Sequence, residues 1–113
     1  MAGQYSLKID QGTTFHLVFF VKTDTNYWNL TGYTAVFKIR KDTKTGAVLK
    51  TITTATGSLV LGTTNGRVQI GMTATETGLL PEGRHVYDVE LTKTSTSEVT
   101  RILEGRVLVS RNG

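Results

Sequence analysis

The sequence is divided into short runs in which apolar and polar residues alternate, and clusters of Gly, Asn, Asp and Ser separate these runs. Alternation with a period of two places successive side chains on opposite faces of a β-strand, whereas an amphipathic helix needs a period of about 3.6 residues. Threonine, a β-branched residue that favours strands, occurs 21 times among the 113 residues. These features predict an all-β protein.

The number and spacing of the runs indicate an immunoglobulin-like antiparallel β-sandwich of seven to nine strands. We expect residues 1–113 to form a single domain, because a chain of this length has room for one core. Thr73 and Glu76 match a capping box, which predicts one short helical turn before the penultimate strand. The pair Asn65 and Gly66 predicts a hairpin turn.

The phase of the alternation predicts which side chains face the core. The strand at 13–22 is apolar on both faces in part, so we expect it to be central in its sheet or to present its second face to a partner. The run at 47–52 is expected at an edge, where Lys50 discourages pairing. Val99 is placed on the inward face of the last strand. The predicted core consists of Phe15, Leu17, Phe19, Phe37, Ile39, Val68, Ile70, Tyr87, Val89, Leu91, Leu103 and Val107.

A corner precedes the penultimate strand. Residues 80–83 read Leu-Pro-Glu-Gly and are followed by Tyr87. This arrangement resembles the corner of immunoglobulin-like domains at which a tyrosine hydroxyl holds the crossover. We therefore expect the Tyr87 hydroxyl to bond the corner.

The residues that carry catalysis or bind metals do not form a recognisable pattern. The chain has no cysteine, which excludes disulfides, thiolate metal sites and a cysteine nucleophile. His16 and His85 fall inside predicted strands without carboxylates at metal-ligand spacing, so a structural role is expected for both. Asp88, Glu90 and Glu104 are best explained as cross-strand ion pairs with nearby arginines. The sequence thus predicts no enzyme, no metal site and no cofactor.

Charge and hydropathy limit the partners. The formal net charge is +4, but the lysines and arginines are dispersed singly, which argues against nucleic acid as a partner. No apolar run approaches the about 20 residues that span a bilayer, so no membrane partner is expected. The first residues lack the basic and apolar regions of a signal peptide. We expect synthesis in the cytoplasm.

Five residues form the candidate interaction surface. His16, Val18 and Phe20 make the second face of the strand at 13–22 more apolar than a face that meets only water. Tyr27 and Trp28 lie in the following loop and are of the types that dominate interface energetics. Two alternatives remain open at this stage: the loop itself covers the apolar face, or Trp28 caps the core.

Several strings of the sequence together resemble a domain that is widespread in tailed-bacteriophage genomes. They are LKIDQGTTF at 7–15, LTGYTA at 30–35, TGLLPEGRHVYDVEL at 77–91 and EVTRILEGRVLVS at Glu98–Ser110. Their order and spacing cover almost the whole chain and are similar to the immunoglobulin-like N-terminal domain of baseplate upper proteins and tail-fibre adaptors.

The resemblance implies a non-enzymatic structural protein of the virion. Such a domain docks onto other virion proteins of the tail, baseplate or fibre in symmetric, multi-copy assemblies, and the resemblance carries over no catalytic residue. Family members often continue into a receptor-binding module, whereas this sequence ends at Gly113. A capsid decoration protein, a carbohydrate-binding module that uses Tyr27, Trp28 and Tyr33, and an accessory domain of a phage hydrolase are the alternatives.

Overall fold

The computed structural model of the chain describes residues 3–22, 26–43, 45–63 and 65–111. Strands occupy most of these ranges, with one short helix before the penultimate strand and one 3-10 turn at Thr54–Thr56. In chain order the elements are β1 (Gly3–Gln4), β2 (Leu7–Asp10), β3 (Phe15–Phe20), β4 (Tyr33–Lys41), β5 (Val48–Thr53), β6 (Leu59–Leu61), β7 (Arg67–Met72), α1 (Ala74–Gly78), β8 (Gly83–Lys93) and β9 (Glu98–Ser110).

The described strands form two sheets that face each other across one core. The larger sheet has the order β1-β9-β8-β4-β5, and β2 also pairs with β9. The smaller sheet has the order β3-β7-β6. The predicted all-β sandwich is therefore confirmed, as are the edge position of β5 and the hairpin that joins β6 to β7. Thr64, in the turn of that hairpin, lies outside the described residues.

The N-terminal strands pair in parallel, although the sequence predicted an antiparallel arrangement. Both β1 and β2 pair in parallel with β9, with Gly3 opposite Leu103 and Leu7 opposite Val107. Between these pairings the chain crosses very close to β9, where a Cβ atom at Gly105 would overlap the carbonyl oxygen of Tyr5. Glycine at position 105 thus lets the N-terminal segment follow the outer edge of β9.

Side chains from both sheets meet in the core. Eight of the twelve predicted core residues are buried, whereas Phe15, Leu17, Phe19 and Leu103 are half-buried at its side. The buried hydrophobic residues are Leu7, Ile9, Leu30, Ala35, Phe37, Ile39, Ile52, Leu59, Val68, Ile70, Met72, Leu80, Tyr87, Val89, Leu91, Val107 and Val109.

The strand β3 accounts for three of the half-buried residues. Two expectations were open for it, a central position or a second face that meets a partner. The central position is wrong, because among the described residues β3 pairs only with β7 and forms the edge of the smaller sheet. An edge strand has a neighbouring strand on one side only. Its inward side chains are therefore packed against fewer neighbours and keep more of their surface exposed. The apolar second face of β3 therefore does not come from a central position.

A bulge in β9 reverses the face of its first residues. The pairing of β8 with β9 shifts between Val89 and Glu90, so that Leu103 lies opposite Val89 but Arg101 lies opposite Glu90. One extra residue in one strand changes the phase of the alternation by one. Val99 consequently points outward and is 56% exposed, which corrects its predicted inward position.

The predicted helical turn is confirmed, and it fixes the start of β3. The Thr73 hydroxyl accepts from the Glu76 N–H at 3.1 Å, and the Glu76 carboxylate accepts from the Thr73 N–H at 2.9 Å. One turn later, the buried hydroxyl of Thr77 donates to the Thr13 carbonyl at 2.7 Å and accepts from the Gly12 N–H at 3.1 Å. These bonds attach α1 to the turn between β2 and β3.

The corner before β8 is held by a histidine, not by the expected tyrosine. His85 is buried and its Nε2 lies 2.9 Å from the Pro81 carbonyl oxygen, which can only accept. The Tyr87 hydroxyl instead donates to the Tyr5 carbonyl at 2.6 Å. Tyr87 therefore fastens the N-terminal segment to the core, and the expected bond to the corner is wrong. The expected structural role of His85 is consistent with this packing.

Candidate interaction surface

The outer face of the smaller sheet carries three of the five candidate residues. Along β3 the inward side chains are half-buried and the outward ones exposed, because strand side chains alternate. His16, Val18 and Phe20 are the outward residues, and Val18 and Phe20 are 44% and 49% exposed.

The neighbouring strands extend this face. Val18 lies opposite Gln69 on β7, and Gln69 lies opposite Val60 on β6, so one row of side chains crosses the sheet. Val60 is 48% exposed. Next to this row, Gly71 lies opposite His16, and a Cβ at Gly71 would lie 3.7 Å from the His16 Nδ1 atom. The missing side chain at Gly71 leaves a shallow depression beside the imidazole.

Tyr27 joins the same face from the loop that follows β3. Its ring meets the Phe20 ring edge-on with centroids 5.8 Å apart, and the Lys22 ammonium lies 5.0 Å from its centroid. A bridge between Lys22 and Tyr27 folds the loop back. Phe20 keeps half of its surface exposed despite this contact. Tyr27 therefore adds to the apolar face and does not cover it. Residues 23–25 lie outside the described residues.

Trp28 has a different environment from the other four candidate residues, although it lines one open groove together with Phe20. It is half-buried, packs against the core, and its ring centroid lies 6.0 Å from that of Tyr33. Its backbone N–H donates to the Val21 carbonyl at 2.9 Å. The structure therefore places Trp28 as a cap on the core, which is the alternative the sequence left open.

We call His16, Val18, Phe20, Tyr27 and Val60 the apolar patch.

Val60 was missed because its run is too short to show alternation. β6 has only three residues, and the sequence signal there was the Asn-Gly turn that follows it. The pairing of β6 with β7 brings Val60 into the row of Val18. This neighbour relation is a consequence of sheet order, which spacing along the chain does not reveal.

The outer face of the larger sheet is charged. Arg101 forms ion pairs with Asp88 at 3.6 Å, Glu90 at 3.5 Å and Glu104 at 3.3 Å, so one guanidinium serves three carboxylates. Partial burial, and then the nearby Glu90 carboxylate, raise the pKa of Asp88 despite the opposing effect of Arg101. The pairs with Asp88 and Glu90 match the cross-strand ion pairs expected for this face, whereas Glu104 lies on the same strand as Arg101.

An open groove of about 250 Å³ lies beside these charges. Lys38, Arg40, Asp88 and Arg106 are among the residues that line it. Side chains of both charges line it, with Glu104 opposite Asp88, so it does not offer the uniform field that would concentrate a charged ligand.

Among the described residues, no three His, Cys, Asp or Glu side chains lie close enough together to hold a metal ion. Within the same part of the chain, no helix is long and apolar enough to cross a membrane.

Comparison with known proteins bears on the fold. No protein-family model matches the sequence, and no curated protein matches it. Among solved structures, the chain is similar to a crystal structure of chicken TCR, with a TM-score of 0.54 and 11% sequence identity over 95% of the chain. The chain spans about half, 53%, of the length of that TCR chain. The fold is an immunoglobulin-like β-sandwich.

Proposed function

We propose that the chain is a non-enzymatic structural domain of a tailed-bacteriophage virion that docks onto other virion proteins. The strings at 7–15, 30–35, 77–91 and Glu98–Ser110 suggest the family, and the immunoglobulin-like fold is the one that this family implies. Localisation in the virion and a multi-copy, symmetric arrangement belong to the same proposal.

The observation that carries the docking role is the apolar patch. Val18, Phe20, Tyr27 and Val60 are each about half exposed and share one sheet face. Single exposed apolar residues are ordinary, but a contiguous group on one face is typical of a surface that binds a partner. Hydrophobic burial between complementary faces then supplies the affinity, while the dispersed lysines and arginines add little.

The carbohydrate-binding alternative is weakened by the positions of the aromatic rings. A sugar platform needs aromatic side chains that present their faces together. Trp28 packs with Tyr33 against the core, whereas Tyr27 contacts Phe20 on the outer face of the smaller sheet. The three rings therefore do not form one platform.

Incorporation into particles tests the docking role. We expect Phe20→Ser to fold normally but to be depleted from particles about tenfold, because it removes an exposed aromatic ring from the apolar patch. Val99→Ser is the matched control, since Val99 is exposed on β9 of the other sheet and should be incorporated normally. Trp28→Ala is expected to lower stability first, because Trp28 packs against the core.

The measurement is the ratio of variant to wild-type protein in purified particles after co-expression. Normal incorporation of folded Phe20→Ser would assign docking to another surface. Absence of the wild-type chain from all particles would overturn the proposed function itself. Imaging of whole particles with labelled chain distinguishes a tail or baseplate location from a capsid location.

A further inference from the structure

The free edge of β3 presents main-chain hydrogen-bonding groups that have no backbone partner among the described residues. In the pairing of β3 with β7, the Val21 N–H donates to the Gly66 carbonyl at 2.8 Å, which marks that pair as a hydrogen-bonded one. Hydrogen-bonded and non-hydrogen-bonded pairs alternate along an antiparallel ladder. The N–H and C=O groups of His16, Val18 and Phe20 therefore point away from β7.

The other sheet edges in the described part of the chain are protected. β5 carries Lys50, and its pairing with β4 is interrupted by a bulge at Ile39 and Arg40. β6 has only three residues, and the outer edge of β9 is partly covered by β1 and β2. Short strands, lysines and bulges are the usual means by which proteins prevent edge-to-edge pairing.

β3 has none of these protections. It is six residues long, its sequence FHLVFF contains no Lys, Arg, Asp, Glu or Pro, and it pairs with β7 without a bulge. Beside this edge an open groove of about 500 Å³ is lined by Phe19, Trp28, Ile102 and Leu103, among others. Both the main chain and the inward apolar side chains are thus incompletely covered on this side.

We propose that β3 pairs antiparallel with β3 of a second copy of this chain, across a two-fold axis at Val18. The outward-pointing residues are spaced symmetrically about Val18, so a single register places His16 opposite Phe20 of the second copy and Val18 opposite itself. All three residues then lie in hydrogen-bonded pairs, which gives up to six main-chain bonds. The result is one continuous sheet in the order β6-β7-β3-β3-β7-β6.

A second copy fits this edge for two reasons. Antiparallel pairing is the arrangement in which a strand meets an identical strand under two-fold symmetry, so the edge is complementary to itself. The strand also carries no Lys, Arg, Asp or Glu, so two copies meet there without the repulsion that their net charge of +4 produces elsewhere. Edge pairing of six residues buries less than the about 800 Å² per partner of a standard interface, so a weak dimer is expected.

The inference deepens the proposed function and rests on it for its biological setting. Pairing at β3 would place the two apolar patches side by side on one face of the joined sheet. A partner with two-fold symmetry would then contact both patches at once, and weak individual contacts would be multiplied. Purified protein alone tests the pairing, without any other virion protein.

Cross-linking tests the register, because the natural chain contains no cysteine. In the proposed dimer the two Cα atoms at position 18 lie about 5.5 Å apart, so a short cross-linker with two thiol-reactive ends can join cysteines placed there. We expect Val18→Cys to form a cross-linked dimer with this reagent at least about tenfold faster than Val60→Cys. Val60 is the matched control, since it is equally exposed on the same face but lies on β6. Equal rates for the two variants would overturn the proposal.

Charge exchange tests self-pairing independently. Sedimentation analysis of the wild-type chain should show a reversible monomer-dimer equilibrium, weakened at least about tenfold in Val18→Lys and in Val18→Glu. A mixture of these two variants should restore dimers, because position 18 faces itself, and the same changes at Val60 should have no effect. A wild-type chain that stays monomeric up to about 1 mM would overturn the inference. If that monomer still enters particles, the proposed function stands without self-pairing at β3.

Discussion

Tyr87 and His85 both point into the core from β8, yet they fasten different parts of the chain. The Tyr87 hydroxyl bonds the Tyr5 carbonyl, 82 positions away in sequence, whereas the His85 Nε2 bonds the Pro81 carbonyl four positions back. Because a carbonyl only accepts, the His85 Nε2 donates this bond, and the buried Nδ1 of His85 has no hydrogen-bond partner among the described residues. His85 thus holds a local corner, and Tyr87, two positions later on the same strand, holds a segment distant in sequence.

Tyr87→Phe is expected to lower the free energy of unfolding by about 1 kcal/mol near neutral pH. The substitution keeps the ring, which packs 5.7 Å from the Phe37 ring, but it removes the donor to the Tyr5 carbonyl. Chemical denaturation measures the change. An unchanged midpoint and slope would show that water replaces the hydroxyl without cost.

The same residue predicts the behaviour of the protein at high pH. Burial, and then the proximity of Tyr5, raise the pKa of Tyr87 to about 12 from its ordinary value of 10.0. Between these two values the folded state binds a proton that the unfolded state has lost, so the free energy of unfolding falls as the pH rises from about 10 to about 12. Wild type and Tyr87→Phe should therefore converge in stability over this range, as followed by denaturation at a series of pH values.

At the scale of elements, the short helix α1 acts as an anchor for the start of β3. Both hydrogen bonds of its capping box are formed, and Lys50 on β5 forms an ion pair with Glu76 at 2.7 Å. The hydrogen bond from Lys50 is the largest cause that lowers the pKa of Glu76, followed by the Thr73 backbone. Stability from Glu76 is therefore present above its ordinary pKa of 4.5 and is lost as the pH falls through its lowered value.

Thr73→Ala is expected to cost about 1 kcal/mol of stability, because it leaves the Glu76 N–H without its side-chain acceptor. Thr75→Ala is the control within the same helix: Thr75 is exposed, and alanine has the higher helix propensity. Thermal unfolding of both variants measures the difference. A loss of stability in Thr75→Ala as large as that in Thr73→Ala would argue against the capping box as the cause.

The bounds of β8 and β9, but not the neighbours of every strand, were predictable from the sequence. Alternation is a local signal, and it gave Gly83–Lys93 and Glu98–Ser110 as observed. Pairing depends on residues far apart in sequence, so the sequence left two interpretations of β3 open, and the central position was the wrong one of the two. The bulge at β9 inserts one residue, so the predicted phase is right at Leu103 and wrong at Val99.

For the candidate surface, too, the positions set by alternation were predictable, whereas those set by strand pairing or loop conformation were not. The outward positions of His16, Val18 and Phe20 follow from alternation along one strand. Trp28 was grouped with them because it follows Tyr27, but consecutive residues of a loop have no fixed direction, and its ring turns to the core. Val60 belongs to the patch only through its pairing with β7.

At the scale of the whole molecule, the two sheets share one core. Ile39 on β4 of the larger sheet and Ile70 on β7 of the smaller sheet are both fully buried and belong to the same cluster. Within the described ranges neither sheet has a second apolar layer behind it, since the outer face of one is charged and that of the other carries the exposed apolar patch. Separation of the sheets would therefore expose the core residues of both.

This shared core predicts that the chain unfolds as one cooperative unit. We expect Ile39→Ala and Ile70→Ala each to lower the free energy of unfolding by about 2–5 kcal/mol, because each removes the same buried atoms from a different sheet. The chain has one tryptophan, and Trp28 packs against the core, so its fluorescence reports tertiary structure while far-UV circular dichroism reports the strands. In wild type and in both variants the two signals should follow a single coincident transition. If Ile70→Ala instead separated the fluorescence change from the loss of strands, the smaller sheet would unfold on its own and the single-domain prediction would be wrong.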